Sequence, residues 1–154
     1  MEFCMPCGPT GRLTGSSDCK VHPAGKGEAG ASADNTPPDQ DCLEYEYDGV
    51  SILRLKHVNA GFNCCPDSFT AAFEFDGQQI TITEVEWLRA PCDCLCLYDL
   101  DLRITGLPAG TWTIKVVEPY LWPEAEPLEF TVDLVASPSG EYCVTRDRYP
   151  WRGQ

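Results

Sequence analysis

Positive charge and histidine are both scarce in this sequence. Eleven lysines and arginines stand against 24 aspartates and glutamates, which gives a formal net charge of −13, and the two histidines are His22 and His57. A nucleic-acid backbone needs a basic surface to neutralise its phosphates, so this balance excludes nucleic acid as an expected partner. An anionic membrane surface is disfavoured for the same reason.

Long apolar runs and familiar catalytic motifs are missing as well. No stretch approaches the ~18 consecutive apolar residues of a membrane-spanning helix, so no membrane insertion is expected. The G-x-S-x-G, H-E-x-x-H and phosphate-binding-loop motifs are also absent from the printed sequence. The sequence therefore predicts a non-enzymatic protein with no catalytic residues and no bound cofactor.

Cysteine, in contrast, is abundant. Ten cysteines in 154 residues is an even and high number, typical of a disulfide framework in an oxidising compartment. This usage predicts a secreted or cell-surface protein of a bacterium. The first residues, MEFCMPCGPTGRLTG, show neither the basic nor the apolar region of a signal peptide, so a cytoplasmic location stays open.

The chain divides into two regions by composition. Residues 1–41 are rich in Gly, Ser, Pro, Ala and Asp and carry few large apolar side chains, which predicts an irregular N-terminal arm held by its cysteines. Residues 42–154 show apolar alternation typical of β-strands, as in Leu43, Tyr45 and Tyr47. Asp76-Gly77 between two alternating runs predicts a hairpin. About eight short strands predict an all-β fold, an immunoglobulin-like two-sheet antiparallel β-sandwich.

The cysteines of the second region form two clusters. Cys92, Cys94 and Cys96 alternate in PCDCLCLYDLDLRITG, in register with the apolar residues that follow, so a strand here would turn all three sulfurs toward the core. The adjacent Cys64 and Cys65 lie upstream and favour separate partners. Bridges between the two clusters are therefore predicted, and the disulfide candidates are Cys4, Cys7, Cys19, Cys42, Cys64, Cys65, Cys92, Cys94, Cys96 and Cys143.

Three segments, HVNAGFNCCPD, CDCLCLYDLDLRITGLPAG and GEYCVTRDRYPW, resemble a set of small uncharacterised bacterial β proteins, some of them lipoprotein-like. These proteins share an N-C-C-P element and a C-x-C-x-C strand. The LRITGLPAGTWTIKVVE stretch also resembles a strand–turn–strand of immunoglobulin-like and prealbumin-like modules. The resemblance implies a sandwich fold and no particular activity.

Two chemical alternatives stay open beside the disulfide framework. The first is a zinc, copper or iron–sulfur site, although C-x-C-x-C on a straight strand spaces its outer sulfurs too widely for one small ion. Its candidate ligands are Cys64, Cys65, Cys92, Cys94, Cys96 and His57. The second is a thiol-disulfide oxidoreductase using Cys4 and Cys7, which form a C-x-x-C motif without the helix that normally follows it.

The leading functional prediction is a disulfide-stabilised structural or assembly module. Open β-sandwich sheets have edges that accept further strands, so the module is expected to associate with copies of itself, forming fibres, or with another surface protein. The aromatic and basic tail favours either an interface or packing on its own domain. The interface candidates are Tyr149, Trp151 and Arg152.

Overall fold

The computed structural model describes residues 8–20 and 36–151, which form nine β-strands and no helix. The strands are β1 (Thr10–Ser16), β2 (Gln40–Tyr47), β3 (Leu53–Asn63), β4 (Ser68–Asp76), β5 (Gln79–Trp87), β6 (Leu95–Thr105), β7 (Thr111–Val117), β8 (Leu128–Asp133) and β9 (Ser139–Thr145). Two stacked sheets result, which confirms the predicted all-β sandwich. In this described part of the chain, no helix is long and apolar enough to cross a membrane.

One strand pair departs from antiparallel order. The larger sheet runs β1-β6-β3-β2-β9 and the smaller one runs β4-β5-β7-β8. All pairs are antiparallel except β5 with β7. After β5 the chain crosses to the larger sheet as β6 and returns as β7, so the returning strand lies parallel to β5. The smaller sheet is therefore mixed, where the sequence predicts antiparallel pairing throughout.

Part of the N-terminal arm is regular. Residues 10–16 form β1, which pairs with the free side of β6 along its length, with a bulge between Leu13 and Gly15. The prediction of an irregular arm is corrected for this segment. Its sequence, TGRLTGS, has one large apolar residue and two glycines, so alternation does not reveal it. Gly11 is required because a Cβ atom here would lie 2.4 Å from the Phe73 ring.

The core follows the predicted alternation. Inward residues of β2, β3, β5 and β7, such as Leu43, Leu53, Ile80 and Ile114, are completely buried between the sheets. The Asp76-Gly77 hairpin is present, with Asp76 paired to Gln79 and Gly77 at a φ of 63°. That left-handed value favours glycine, as the turn type demands.

The cysteine-bearing strand starts later than predicted. β6 begins at Leu95, so Cys96 lies inside it and is buried, while Cys92 and Cys94 precede it. The backbone N–H and C=O of Cys92 bond the Asn63 side chain, at 3.0 and 2.9 Å, instead of a neighbouring strand. From Cys96 to Ile104 the inward register agrees with the prediction.

Candidate functional site

A charged layer interrupts the inner face of the smaller sheet. Along β5 the inward positions are Ile80, Ile82 and then Glu84, and along β7 they are Ile114, Val116 and then Glu118, the residue just after the strand. The parallel register pairs Ile82 with Val116, so the two glutamates follow at the same level. Two carboxyl groups thus extend the apolar face of the smaller sheet.

The larger sheet supplies the partners of these glutamates. Asp41 on β2 and His57 on β3 point inward, as does Arg146 just after β9, whose backbone N–H donates to the Asp39 carbonyl. The five charged residues come from five different strands or strand ends. None of them is more than 6% exposed, so this is a buried network.

His57 lies at the centre of the network. Its Nδ1 is 2.5 Å from Glu84 Oε2, and its Nε2 is 2.7 Å from Asp41 Oδ1 and 3.4 Å from Glu118 Oε1. Both ring nitrogens therefore face carboxylates, which suits an imidazolium that donates from both positions. Buried charge is tolerated when it is paired in this way.

Arg146 completes the network from the other side. Its Nε donates to Asp41 Oδ2 at 2.9 Å, and its Nη2 lies 3.2 Å from Glu118 Oε2. Its Nη1 donates to the backbone carbonyl of Glu126. Asp41 is therefore shared between two cations, His57 and Arg146.

Burial and neighbouring charges set the protonation states. Burial alone lowers the pKa of His57, but the carboxylates of Glu84, Asp41 and Glu118 outweigh it and hold that pKa well above 6.5. Burial raises the pKa of Asp41, but His57, the hydrogen bond with Glu118 and the Arg146 charge together outweigh burial and leave the pKa below its usual value. Burial, aided by the Asp41 charge, raises the pKa of Glu118 to about 8.

The network is neutral when Glu118 is protonated and Asp41 and Glu84 are ionised. His57 and Arg146 carry two positive charges, whereas the three carboxyls would carry three negative charges if all were ionised. A proton on Glu118 removes that excess. Glu84 also has a raised pKa because of its burial. A neutral arrangement is the one that a water-poor interior accommodates at least cost.

The network separates two apolar clusters. His57 lies between Leu55, which belongs to the main core, and Ala60, which belongs to a second core at the cysteine-rich end. In that second core the Phe62 ring lies 4.8 Å from the Phe69 ring and 6.3 Å from the Tyr98 ring, between centroids. The charged layer thus fixes how the two halves of the sandwich meet.

A metal ion is a poorer occupant of this site than arginine. Asp41, His57 and Glu118 each offer a ligand atom within 4.8 Å of the others, a spacing that a cation could bridge. The Arg146 guanidinium, however, already bonds the two carboxylates, and a cation beside it would be repelled. The arrangement therefore acts as a set of internal ion pairs.

The predicted sulfur cluster is a set of disulfides. The bridges are Cys19–Cys96, Cys42–Cys143, Cys64–Cys94 and Cys65–Cys92. Among the described residues no cysteine is free, so the thiolates needed for the zinc, copper or iron–sulfur alternative are not present here. His57, the sixth candidate ligand, contacts carboxylates instead of sulfur. Cys4 and Cys7, with the oxidoreductase prediction that depends on them, lie outside the described residues.

The asparagine of the N-C-C-P element, Asn63, positions the neighbouring disulfide. Its Oδ1 accepts from the backbone N–H groups of Cys65 and Cys92 at 2.9 and 3.0 Å. One side chain thereby holds both ends of a disulfide in place. Cys64 and Cys65 take separate partners, as the sequence predicts for adjacent cysteines.

Asn59 lies in β3 where the register with β6 shifts, and it contacts both the arm and the tail. It occupies the left-handed region at a φ of 68°, which asparagine tolerates better than most residues. Its side chain donates to the carbonyls of Pro37 and Gln40 and accepts from Lys20 Nζ. Its carbonyl accepts from the indole N–H of Trp151 at 2.7 Å.

The tail residues lie against their own domain. Trp151 is fully buried, and a Cβ atom on Gly61 would come within about 3.0 Å of its ring. The Tyr149 hydroxyl lies 2.8 Å from both the N–H and the carbonyl oxygen of Leu95, although 43% of Tyr149 is exposed. Trp151 therefore closes this end of the sandwich and is not accessible as an interface residue. Arg152 lies outside the described residues.

Sequence reasoning missed four residues of the network. Asp41, Glu84, Glu118 and Arg146 each continue the inward parity of an adjoining strand, as Glu84 does after Ile80 and Ile82. Charged residues at core-facing positions of a strand were the available signal.

Comparisons with models of protein families, with curated proteins and with solved structures gave no match. The resemblance to small bacterial β proteins therefore stays a prediction.

The network predicts that stability falls as the solution becomes alkaline. The folded pKa of Glu118 is about 8 and its ordinary value is 4.5, so between these values the folded state holds a proton that the unfolded state has lost. His57 acts in the same direction above pH 6.5 because its folded pKa is raised. We expect the free energy of unfolding to fall by roughly 1–1.5 kcal/mol per pH unit between pH 5 and 6.5, and by roughly 2 kcal/mol per pH unit between pH 6.5 and 8, where His57 adds a second proton.

Urea unfolding at several pH values measures this slope. The Glu118→Gln variant mimics the protonated side chain, so its slope should be flatter than that of the wild type. Glu124→Gln, an exposed site, makes the same chemical change and should leave the slope unaltered. Equal slopes in the two variants would show that Glu118 is ionised in the folded protein.

Proposed function

We propose that this protein is a non-enzymatic, disulfide-stabilised structural module of the bacterial cell surface or exterior that associates with copies of itself. The observation that carries the proposal is β4, a long and regular strand that the described structure leaves paired on one side. The disulfides and the sealed charge network support the same conclusion.

The disulfide pattern supports an oxidising location. Two bridges join the segment just after β3 to the segment just before β6, one joins β2 to β9, and one joins Cys19 of the arm to β6. Bridges of this kind persist outside the reducing cytosol. They tie both edges and the loops of the larger sheet to its centre, as suits a module that must survive outside the cell.

The position of His57 supports a structural role for the charged residues. Its ring is fully buried and both nitrogens face carboxylates within the interior. A general acid or base must lie within hydrogen-bond reach of a bound substrate, and a sealed imidazole does not. The network is therefore better suited to fixing the sheets than to catalysis.

β4 is the candidate edge for association. All nine of its residues pair with β5 in unbroken register from Ser68 to Asp76. In the described structure no strand hydrogen-bonds to its other side, although β1 packs close by, with Gly11 against the Phe73 ring. It contains no proline, lysine, arginine or bulge, which are usual protections of an edge strand, and its charged residues are Glu74 and Asp76. Two β4 strands pairing about a twofold axis would join two four-stranded sheets into one of eight strands.

The Ala72→Lys substitution tests this edge. Ala72 is exposed at the middle of β4, so a lysine there places a charge on the outer face beside the pairing edge. In a twofold pairing centred on this residue the two lysines would lie opposite each other and repel. We expect the wild type to associate in sedimentation-velocity experiments at 0.15 M salt, and the variant to associate at least about tenfold more weakly.

Ala90→Lys is the matched control because Ala90 is exposed in a bend outside the strands. It should associate like the wild type. Higher salt should strengthen association by screening the repulsion between two chains of charge −13. A wild type that stays monomeric up to millimolar concentration would overturn the proposal.

A further inference from the structure

Three arginines lie side by side on the outer face of the larger sheet. Arg12 on β1 is the register partner of Arg103 on β6, and Arg103 is the register partner of Arg54 on β3. Directly opposed residues on neighbouring strands have Cβ atoms about 5 Å apart. Three of the eleven basic residues of this acidic chain thus form one continuous row, called here the arginine row.

In the described part of the chain the three arginines of the row form no ion pair, although the charge of Arg54 helps to lower the pKa of the Asp48 carboxyl. Within residues 8–20 and 36–151, no carboxylate lies within ion-pairing distance of Arg12, Arg54 or Arg103. Glu46 is the register partner of Arg54 on β2, but the two do not form an ion pair, and it marks the end of the row. Like charges directly opposed across strands destabilise a sheet, so the row has a cost that a bound anion would remove.

A cavity beside the arginine row offers hydrogen-bond donors. It has a volume of about 330 Å³ and is lined by Thr10, Gly11, Arg12, Arg103 and Thr105. The hydroxyls of Thr10 and Thr105 lie 3.2 Å apart. The Nε of Arg103 is shielded from solvent and has no hydrogen-bond partner, a condition that native structures normally avoid.

We propose that the arginine row binds ligands carrying two or more sulfate or phosphate groups. Guanidinium groups bind such oxyanions through paired N–H donors. One group would sit in the cavity, bonded by Arg12, the two threonine hydroxyls and the Arg103 guanidinium, whose shielded Nε would turn outward to reach it. A second would lie between Arg103 and Arg54, because the row spans about 10 Å, two strand spacings, which is too long for one small anion.

The strongly negative net charge does not prevent this binding at physiological salt. The Debye length is about 8 Å at 0.15 M, so distant carboxylates are largely screened while groups in contact with the row are not. The proposal does not depend on self-association, because the row lies on the outer face of the larger sheet and β4 belongs to the smaller one.

NMR of the arginine Nε–Hε groups tests the proposal directly. The probes are inorganic sulfate, tripolyphosphate and a multiply sulfated disaccharide, each titrated into the oxidised protein at 0.15 M sodium chloride. We expect a saturable shift of the Arg103 resonance, with at least one multivalent probe binding about tenfold or more tightly than sulfate. A stronger response to the saccharide would identify a sulfated glycan as the ligand class, and a stronger response to tripolyphosphate a phosphate ester.

Substitutions test whether the probes bind the arginine row or bind any exposed arginine. Arg12→Gln should weaken binding of the better multivalent probe at least about tenfold, and Arg103→Gln should do so when binding is followed by backbone amide shifts. Arg89→Gln is the control, because Arg89 is 85% exposed and pairs with Asp67 away from the row. Without ligand, Arg103→Gln should be at least as stable as the wild type. Absence of a saturable shift, or equal weakening in Arg89→Gln, would overturn the proposal.

Discussion

The His57→Gln substitution is expected to destabilise the protein by about 3–5 kcal/mol, the cost typical of removing one partner from a buried ion pair. His57 separates Glu84 from Asp41 and contacts both, at 2.5 and 2.7 Å. Without the imidazolium, Glu84 loses its only described cationic neighbour, and Asp41 retains Arg146 alone. Urea unfolding at pH 7, followed by tryptophan fluorescence, measures the loss.

A double-mutant cycle identifies the source of this loss. Glu84→Gln alone should destabilise the protein, because His57 then loses a carboxylate that keeps it protonated in a dry interior. The His57→Gln/Glu84→Gln double variant should lose less stability than the sum of the two single variants, since its second change removes a carboxylate already left unpaired. Additive losses, or a cost below about 1 kcal/mol for His57→Gln, would mean that the pair carries little charge.

The network also shows where sequence reasoning ends. Alternation places Leu43, Ile80 and Ile114 in the core because a strand with one buried face must repeat every two residues. The same parity places Glu84 and Glu118 inside, but it cannot say what neutralises them. Their partners depend on which strands meet across the sandwich, and Asp41 and Arg146 are 105 residues apart.

The disulfides also show what can and cannot be predicted from the sequence. Clustering of Cys64, Cys65, Cys92 and Cys94 predicts bridges between two segments. The pairing itself depends on where β6 begins, and that is decided by the hydrogen bonds of Asn63. A side chain that holds a loop through hydrogen bonds to the backbone produces no periodic pattern in the sequence, so it is not predicted from alternation.

Two of the three segments that resemble small bacterial β proteins meet in space. HVNAGFNCCPD supplies His57, Asn59 and Gly61, and GEYCVTRDRYPW supplies Arg146 and Trp151. His57 and Arg146 share Asp41, and Trp151 donates to Asn59 and packs on Gly61. Residues about 90 positions apart therefore form one structural unit, in which the tail covers the strand that carries His57.

Removing the Cys42–Cys143 bridge should cost far more than removing Cys65–Cys92. The first joins β2 to β9 across 101 residues, for which loop-closure entropy corresponds to about 4–5 kcal/mol. The bridges nested inside that loop shorten it, but the dependence on length is logarithmic, so about 4 kcal/mol remains. We expect this loss for the Cys42→Ala/Cys143→Ala variant in urea without reductant.

The Cys65–Cys92 bridge, in contrast, closes a loop that its neighbour has already closed. Cys64–Cys94 spans 30 residues and Cys65–Cys92 spans 27, one inside the other. While either bridge is intact, the unfolded chain is already constrained there, so Cys65→Ala/Cys92→Ala should lose less than about 1 kcal/mol. Removing both bridges should then cost roughly 3 kcal/mol. Intact-mass counting of alkylated thiols checks that the remaining bridges are formed. Equal losses from the two double variants would mean that native contacts of the cysteines, and not chain entropy, determine the contribution of each bridge.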